Sequence, residues 1–401
     1  MLNLERIRDR NIWRIYFATL LVGLAYGISI SLTAIHLDAR GFDKKAIGSL
    51  AAWFASGLVA LSLPMGSLLR RVPAKRVLGG ALIGYAASVA LFPWLHSYAA
   101  LAAVRLLDGA CSVSVWISCE TLLLNRADPE HKAFTMSLYA VALAVGYVLG
   151  PLLARLVITA APLPIAFAVA GALALTASAY VTLRVESDAP SRSAHGTPTQ
   201  GAPLSIVLAK IKNSCFATFT YGYFQSAVVL FLPLYLIESK GVPRERTILV
   251  PAFFAAGMLL FSNLVGRVAD RVGHLLIMRW LACIGTAMIF GFVFLESYPL
   301  MCLAVFIAGA SLATISPASL ALQGAQCSAE EYGRATGLYN AFYAAGILLG
   351  PPCASQLFAR MGGAAMLYHL ALLWLAFIAF SLVFWRDDPK ARALAASATD
   401  V

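Results

Sequence analysis

Residues 51–72 read AAWFASGLVALSLPMGSLLRRV, and residues 251–272 read PAFFAAGMLLFSNLVGRVADRV. Laid side by side without a gap, eight of the 22 positions are identical: Ala52, Phe54, Ala55, Gly57, Ser62, Gly66, Arg71 and Val72 recur 200 residues on. Further out, 136–151 (MSLYAVALAVGYVLGP) and 336–351 (TGLYNAFYAAGILLGP) share seven of 16 positions in the same register. Gly41 with Gly241 and Gly109 with Gly309 keep that register too. Chance similarity between apolar helices would align Leu and Ala at drifting offsets. Gly, Pro and Arg recurring at one offset mark an internal duplication.

What is duplicated is a set of apolar spans. Long charge-poor stretches run at about 12–37, 46–69, 77–97, 98–124, 133–158 and 162–183, and again at about 214–237, 247–269, 275–296, 298–323, 335–359 and 364–385. Each has about 20 residues or more, the length a helix needs to cross the hydrocarbon core. Of the 401 residues, 60% are hydrophobic and 12% charged, against roughly 45–50% and about 25% in ordinary soluble domains. The pattern predicts an all-α integral membrane protein of about 12 transmembrane helices. The first span follows Arg6, Arg8, Arg10 and Arg14, as a secretory signal would. It is too long for a signal's apolar region and more spans follow, so it reads as a retained helix.

An even number of spans per copy inserts both copies the same way up, giving parallel repeats related by an axis along the membrane normal. The expected organisation is a six-helix bundle over 1–187, a flexible linker over 188–203 and a second six-helix bundle over 204–401. The linker, DAPSRSAHGTPTQGAP, has almost nothing to bury. With the N-terminus in the cytoplasm, 21 of the 30 Lys and Arg fall on the cytoplasmic side and 8 outside, leaving Arg105 within a span. This positive-inside bias places both termini and the linker in the cytoplasm, and Lys44 and Lys240 outside. It also makes the net charge of +11 a topology signal rather than a nucleic-acid footprint. The seven cysteines and six histidines are dispersed, with no CxxC, so no disulfide framework, metal or cofactor is expected.

Several short patterns sit at repeat-related places. The loop after the second span reads GSLLRRVPAKR (66–76) in the first copy and GRVADRVGH (266–274) in the second; the first has Arg70 where the second has Asp270. The fifth span carries GYVLGP (146–151), and the fourth carries Arg105 followed by Gly109. In these features, its twelve spans and its central linker, the chain resembles the bacterial twelve-helix members of the major facilitator superfamily. That family's patterns here are G-x-x-x-D-R-x-G-R/K, the antiporter-associated G-x-x-x-G-P, and R-x-x-x-G. The resemblance implies a gating motif at Gly66, Arg70, Arg71, Gly266, Asp270 and Arg271, and a fourth span that lines the central cavity. It implies that the fifth and eleventh spans, with Gly146, Gly150, Pro151, Gly346, Gly350 and Pro351, form a sliding interface between halves. From the residues alone, these glycines let helices approach closely while the prolines bend them.

The fourth span carries the chemistry of most interest. At 100° per residue, Arg105, Asp108, Ser112, Trp116, Cys119 and Glu120 fall within an arc of about 120°, while Leu107, Val113 and Ile117 point elsewhere. Facing lipid, the three charges would together cost on the order of 8–10 kcal/mol, so this face is expected to meet the protein interior. Arg105 and Asp108 read either as a self-neutralising structural pair or as a cavity pair that meets protons or substrate. Glu120 reads either as the carboxylate that the N-terminal loop lacks, latching onto Arg70 or Arg71, or as a local partner of Arg126 or Lys132. On the seventh span, Tyr221, Phe224, Gln225, Val228, Leu232 and Tyr235 share one side, either as packing or as the aromatic wall of a substrate cavity. In the tenth, Ser311, Thr314, Ser316, Ser319 and Gln323 read as cavity polar groups or as interhelical glue.

The function expected from this reading is secondary active transport of a small organic solute by alternating access, as proton-coupled export across a bacterial inner membrane, by a monomer. Export rests on the G-x-x-x-G-P resemblance. Uptake by the same fold is the alternative, as is a sensor or assembly factor that moves nothing. No P-loop pattern is present to suggest a primary pump, and no clustered catalytic set suggests an enzyme.

Overall fold

In the computed structural model, which describes residues 9–69, 71–127, 132–187, 203–327 and 331–388, every regular element is helical. The helices are α1 (Arg10–Ala39), α2 (Lys44–Leu69), α3 (Ala74–Leu91), α4 (Tyr98–Arg126), α5 (Lys132–Ala160), α6 (Leu163–Arg184) and α7 (Leu204–Lys240). After α7 come α8 (Arg244–Thr247), α9 (Val250–Val272), α10 (His274–Phe292), α11 (Tyr298–Ala308), α12 (Ile315–Gln326), α13 (Tyr332–Met361) and α14 (Gly363–Val383). Twelve runs among them are long and apolar enough to cross a membrane, in the places the apolar spans predict. Helix starts carry ordinary caps: the Asp9 carboxylate accepts from Asn11 N at 2.8 Å, and Ser97 Oγ accepts from Ala100 N at 3.2 Å.

Two elements depart from the simple spans. α7 starts at Leu204, well ahead of the expected span, with Pro203 in an extended conformation before it. Its backbone leaves helical values at Ile211 (φ −103°, ψ 15°). The leading turns bury Val207 and Ile211 with Cys215 and Ala335, so they are anchored by tertiary packing. The tenth span is broken into α11 and α12 by a π-helical turn over Gly309–Ala313. Its counterpart in α4 is a continuous α-helix. Widened turns of this kind are concentrated at functional sites.

Packing divides the chain into two compact units. The first holds Met1–Phe42, Ser49–His195 and Pro243–Ala252; the second holds Asp43–Gly48, Gly196–Val242 and Phe253–Val401. In the first, α1 packs on α5 and α6, and α3 on α4 and α6. In the second, α7 packs on α13 and α12, and α10 on α14.

The offset of 200 governs these contacts atom by atom. A Cβ at Gly57 would collide with the Leu106 carbonyl, and one at Gly257 with the Phe306 carbonyl. A Cβ at Gly109 would strike the Phe54 carbonyl, and one at Gly309 the Phe254 carbonyl. Gly146 and Gly150 lie against Gly23 and Gly27 of α1, while Gly346 and Gly350 lie against Tyr223 of α7. The glycines of α5 and α13 thus face neighbours within their own units. Their role here is close backbone approach, which a Cβ would prevent. Pro151 and Pro351 lie inside α5 and α13 just after them.

Candidate functional site

α4 places Arg105 and Asp108 one turn apart, and the two side chains meet. Arg105 Nη1 donates to Asp108 Oδ2 at 2.5 Å, with the side chains only 13% and 6% exposed. Ser112 Oγ, one further turn along, donates to Asp108 Oδ1 at 3.4 Å. The guanidinium also lies 4.4 Å from the ring centroid of Phe54 on α2, a cation–π geometry. Phe54 therefore meets both ends of the Arg105-to-Gly109 turn, its ring under the arginine and its carbonyl against the glycine.

Next to the ion pair is an aromatic cluster drawn from four helices. Tyr26 of α1 packs edge-on against Tyr85 of α3 at 4.6 Å and against Trp116 of α4 at 6.0 Å, and stacks with Tyr147 of α5 at 6.1 Å. Buried among these groups, Arg105 Nε, Trp116 Nε1 and Tyr85 Oη have no hydrogen-bond partner among the described residues. Unpaired buried donors cost on the order of 1–3 kcal/mol each. Such a set can bind a solute that offers acceptor atoms. Tyr26, Tyr85 and Tyr147 were not legible as site residues: each stands in an apolar helix with no charged or polar motif beside it. The available signal was a phenol at mid-span rather than at a helix end, where tyrosine ordinarily anchors to the membrane surface.

The second unit is built differently at the same place. Val305 and Ala308, the repeat partners of Arg105 and Asp108, line a cavity of about 30 Å³ together with Phe224, Phe254, Ile289 and Leu367. Phe254 is the partner of Phe54, and its ring faces Phe224 at 6.2 Å instead of a cation. One copy thus carries a buried ion pair where the other carries a small apolar void.

The remaining predicted residues divide. Tyr221 stacks on Tyr343 of α13 at 6.1 Å, and Gln225 Oε1 accepts from Tyr343 Oη at 3.0 Å, so these belong to one polar aromatic face. Phe224 and Tyr235 are buried in the bundle, against Trp374 and Phe292 respectively, and serve packing. Ser311 Oγ donates to the Ile307 carbonyl at 2.7 Å, and Thr314 Oγ1 to the Ala310 carbonyl at 2.8 Å. Both hydroxyls are spent on carbonyls at the π-helical break. Ser316 and Ser319 meet Tyr339 Oη at 3.1 and 3.0 Å, joining α12 to α13.

Glu120 is exposed and forms no ion pair among the described residues. Arg126 instead pairs with Asp9 at 3.2 Å and donates to the Glu186 carbonyl at 3.0 Å. Neither a Glu120–Arg71 latch nor a Glu120–Arg126 pair is present. Arg71 and Arg271 are exposed, and beside Gly266 an added Cβ would meet open space. Arg70, the linker residues 188–202 and the side chains of Lys132, Asp270 and position 66 lie outside the described residues. Among the described residues no group of three His, Cys, Asp or Glu is placed to hold a metal.

Known proteins share this architecture. The chain is 24% identical over 371 residues to YcaD of Escherichia coli O139:H28, named an uncharacterized MFS-type transporter, covering 88% of this chain and 93% of that one. It is 23% identical over 256 residues to YfkF of Bacillus subtilis strain 168, also named an uncharacterized MFS-type transporter; that match spans 63% of this chain and 64% of YfkF. Among solved structures, a bacterial homolog of the human lysosomal transporter Spinster superposes with a TM-score of 0.78 at 13% identity, over 94% of this chain and 96% of that one. The nucleoside transporter NupG gives 0.72 at 14%, over 94% and 97%. These likenesses show the fold. The family model of the Major Facilitator Superfamily matches residues 15–297 and 214–399. With twelve candidate spans and a duplicated six-span plan, the chain is a multi-pass membrane protein that belongs to the major facilitator superfamily.

Proposed function

We propose that the protein is a secondary active transporter that exports a small organic solute in exchange for protons, by alternating access, as a monomer in a bacterial inner membrane. Both termini are then cytoplasmic, in keeping with the 21-to-8 division of Lys and Arg. The observation that carries this reading is the Arg105–Asp108 pair, buried beside unpaired donors in one unit and replaced by Val305 and Ala308 in the other. A scaffold that moved nothing would gain by the apolar version in both units, since buried ion pairs are costly relative to well-packed apolar residues. Ionisable groups at this depth mark solute or proton pathways. The relatives named as MFS-type transporters support the class, and Gly146–Pro151 supports the direction by resemblance.

The test starts from metabolites retained inside cells that lack the protein, each then offered to everted vesicles that carry it. Accumulation driven by an imposed pH gradient, and abolished by a protonophore, is the expected result. Accumulation indifferent to the protonophore would overturn proton coupling, and depletion of the same solute from the medium by intact cells would reverse the direction. Orientation is read separately with Ser193→Cys and Glu245→Cys: an impermeant thiol reagent added to intact cells should label only the second.

A further inference from the structure

The second unit carries a cation at a place where the first carries none. Arg279 lies on α10 about 7.5 Å along the axis from His274, and its repeat partner on α3 is Gly79. In the first unit the groove between α3 and α6 is closed by hydroxyls. Ser178 Oγ donates to the Gly79 carbonyl at 2.9 Å, and a Cβ at Gly79 would come within 3.3 Å of Thr182 Oγ1. In the second unit α10 packs on α14, and Arg279, half-buried, reaches across the corresponding groove.

Arg279 Nη2 donates to the Ser381 carbonyl at 3.0 Å. That carbonyl belongs to the last turn of α14, where a cation is favoured. Helix capping therefore accounts for one N–H of the guanidinium, but it leaves the charge without a counter-ion. Nε is buried with no partner among the described residues, and Arg279 forms no ion pair among them. The acids at this end of the unit are engaged by other groups. Asp387 Oδ2 meets Lys212 Nζ at 3.2 Å and Asn213 Nδ2 at 2.9 Å, and Asp388 Oδ2 accepts from Leu275 N at 3.0 Å. A cation withdrawn from water is costly unless something pairs with it.

The surface around the groove tells which partner can come. Leu276 and Trp280 of α10, and Leu382 and Val383 of α14, are exposed on either side of Arg279 and Ser381; Trp280 is 62% exposed and Val383 73%. In a bilayer this surface meets acyl chains. A dissolved anion would bring a charge and nothing to lie against those side chains, whereas a phospholipid brings both. Just past α14 the exposed Arg386 lies 5.5 Å from the Trp385 ring centroid, a second positive charge that favours a headgroup of net negative charge.

We propose that the groove between α10 and α14 is a binding site for an anionic phospholipid, with the phosphate on the Arg279 guanidinium and the acyl chains along Leu276, Trp280, Leu382 and Val383. Basic pockets between transmembrane helices recognise such headgroups, and Gly79 leaves the first unit without an equivalent. The site requires only that the chain lies in a membrane, so it stands or falls apart from the transport reading.

Trp280 is the reporter. The full-length protein is reconstituted in phosphatidylcholine bilayers in which a small fraction of the lipid carries brominated, fluorescence-quenching chains, either as phosphatidylglycerol or as phosphatidylcholine. Subtracting the signal of Trp280→Phe isolates the share of Trp280. Brominated phosphatidylglycerol should reach Trp280 with about a fivefold preference, the effect of one arginine near a membrane surface. Arg279→Gln should bring the preference close to one. Arg279→Lys should keep part of it, since an ammonium holds a phosphate as a point charge without the planar fork. Leu276→Glu sets an acid one turn before Arg279 and should erase the preference while leaving the arginine in place, which keeps the test open where Arg279→Gln does not fold. Arg360→Gln, at the far end of α13, should change nothing. Equal quenching by the two lipids in the parent protein would overturn the site, as would a preference that survives both Arg279→Gln and Leu276→Glu. Excess inorganic phosphate should leave the preference intact; its loss there would show a site for a free anion and overturn the lipid.

Discussion

Asp108→Asn is expected to destabilise the protein more than Arg105→Gln, by about 3–5 kcal/mol, the usual cost of removing one partner from a buried ion pair. The asymmetry follows from acid–base chemistry. A carboxylate left alone in a buried site can take up a proton and become neutral, whereas a guanidinium cannot shed one at any accessible pH. With Asp108 gone, Arg105 keeps the Phe54 ring as a neighbour, and its Nε already lacks a partner among the described residues. The double variant Arg105→Gln/Asp108→Asn removes both charges and should recover most of the loss, as read from thermal unfolding in detergent. Flux then separates structure from coupling. If Asp108 carries the proton, the double variant regains stability while gradient-driven transport stays at least about tenfold down, a difference of about 1.4 kcal/mol in the coupled step. Solute exchange at equal pH should persist. Recovery of stability and driven flux together would make the pair purely structural.

How much of this was legible in the sequence depends on which atoms make the contact. The duplication could be read because its key contacts are backbone against backbone: Gly57 on Leu106, Gly109 on Phe54, and the same pairs 200 residues later tolerate one residue type only. The arc of α4 could be read because charge at membrane depth has few places to go, and Arg105 and Asp108 do meet in the interior. Side-chain partners chosen from equivalent options could not be read. A stripe at helical spacing shows that Tyr221, Phe224 and Tyr235 share a face, but Tyr221 turns to α13 while Phe224 and Tyr235 enter the core. Hydroxyls in the tenth span had two outlets, a neighbouring helix or their own carbonyls, and Ser311 and Thr314 took the second, bonding the carbonyl four residues back as Ser114 does in α4. Glu120 was offered several cations on charge alone, and Arg126 is committed to Asp9 and the Glu186 carbonyl.

Gly109→Ala and Gly309→Ala should be among the most damaging single-methyl changes in the protein. An added Cβ at either position would fall inside contact distance of a backbone carbonyl, Phe54 on α2 or Phe254 on α9. Backbone in a hydrogen-bonded helix cannot rotate aside as a side chain does. Relief requires α2 to part from α4, or α9 from the π-helical turn, along much of their shared length. Overpacking typically costs 1–3 kcal/mol where side chains can yield, so the cost here should reach or exceed about 3 kcal/mol. In the first unit, movement of α2 would also draw the Phe54 ring from beneath Arg105 and loosen the ion pair. Gly109→Ala should therefore lose flux even in whatever fraction remains folded. Gly309→Ala has no charge pair to disturb, since Val305 and Ala308 stand there, and any folded fraction should keep more of its transport. Gly80→Ala and Gly291→Ala are the controls: an added Cβ meets nothing within 4 Å at either site, and their unfolding midpoints should match the parent. The measurement is the monodisperse yield and unfolding midpoint of each variant in one detergent. Equal values for Gly109→Ala and Gly80→Ala would show that α2 and α4 do not approach as closely as Phe54 and Gly109 are placed, and the duplicated glycine contact would lose its standing as the constraint that holds each unit together.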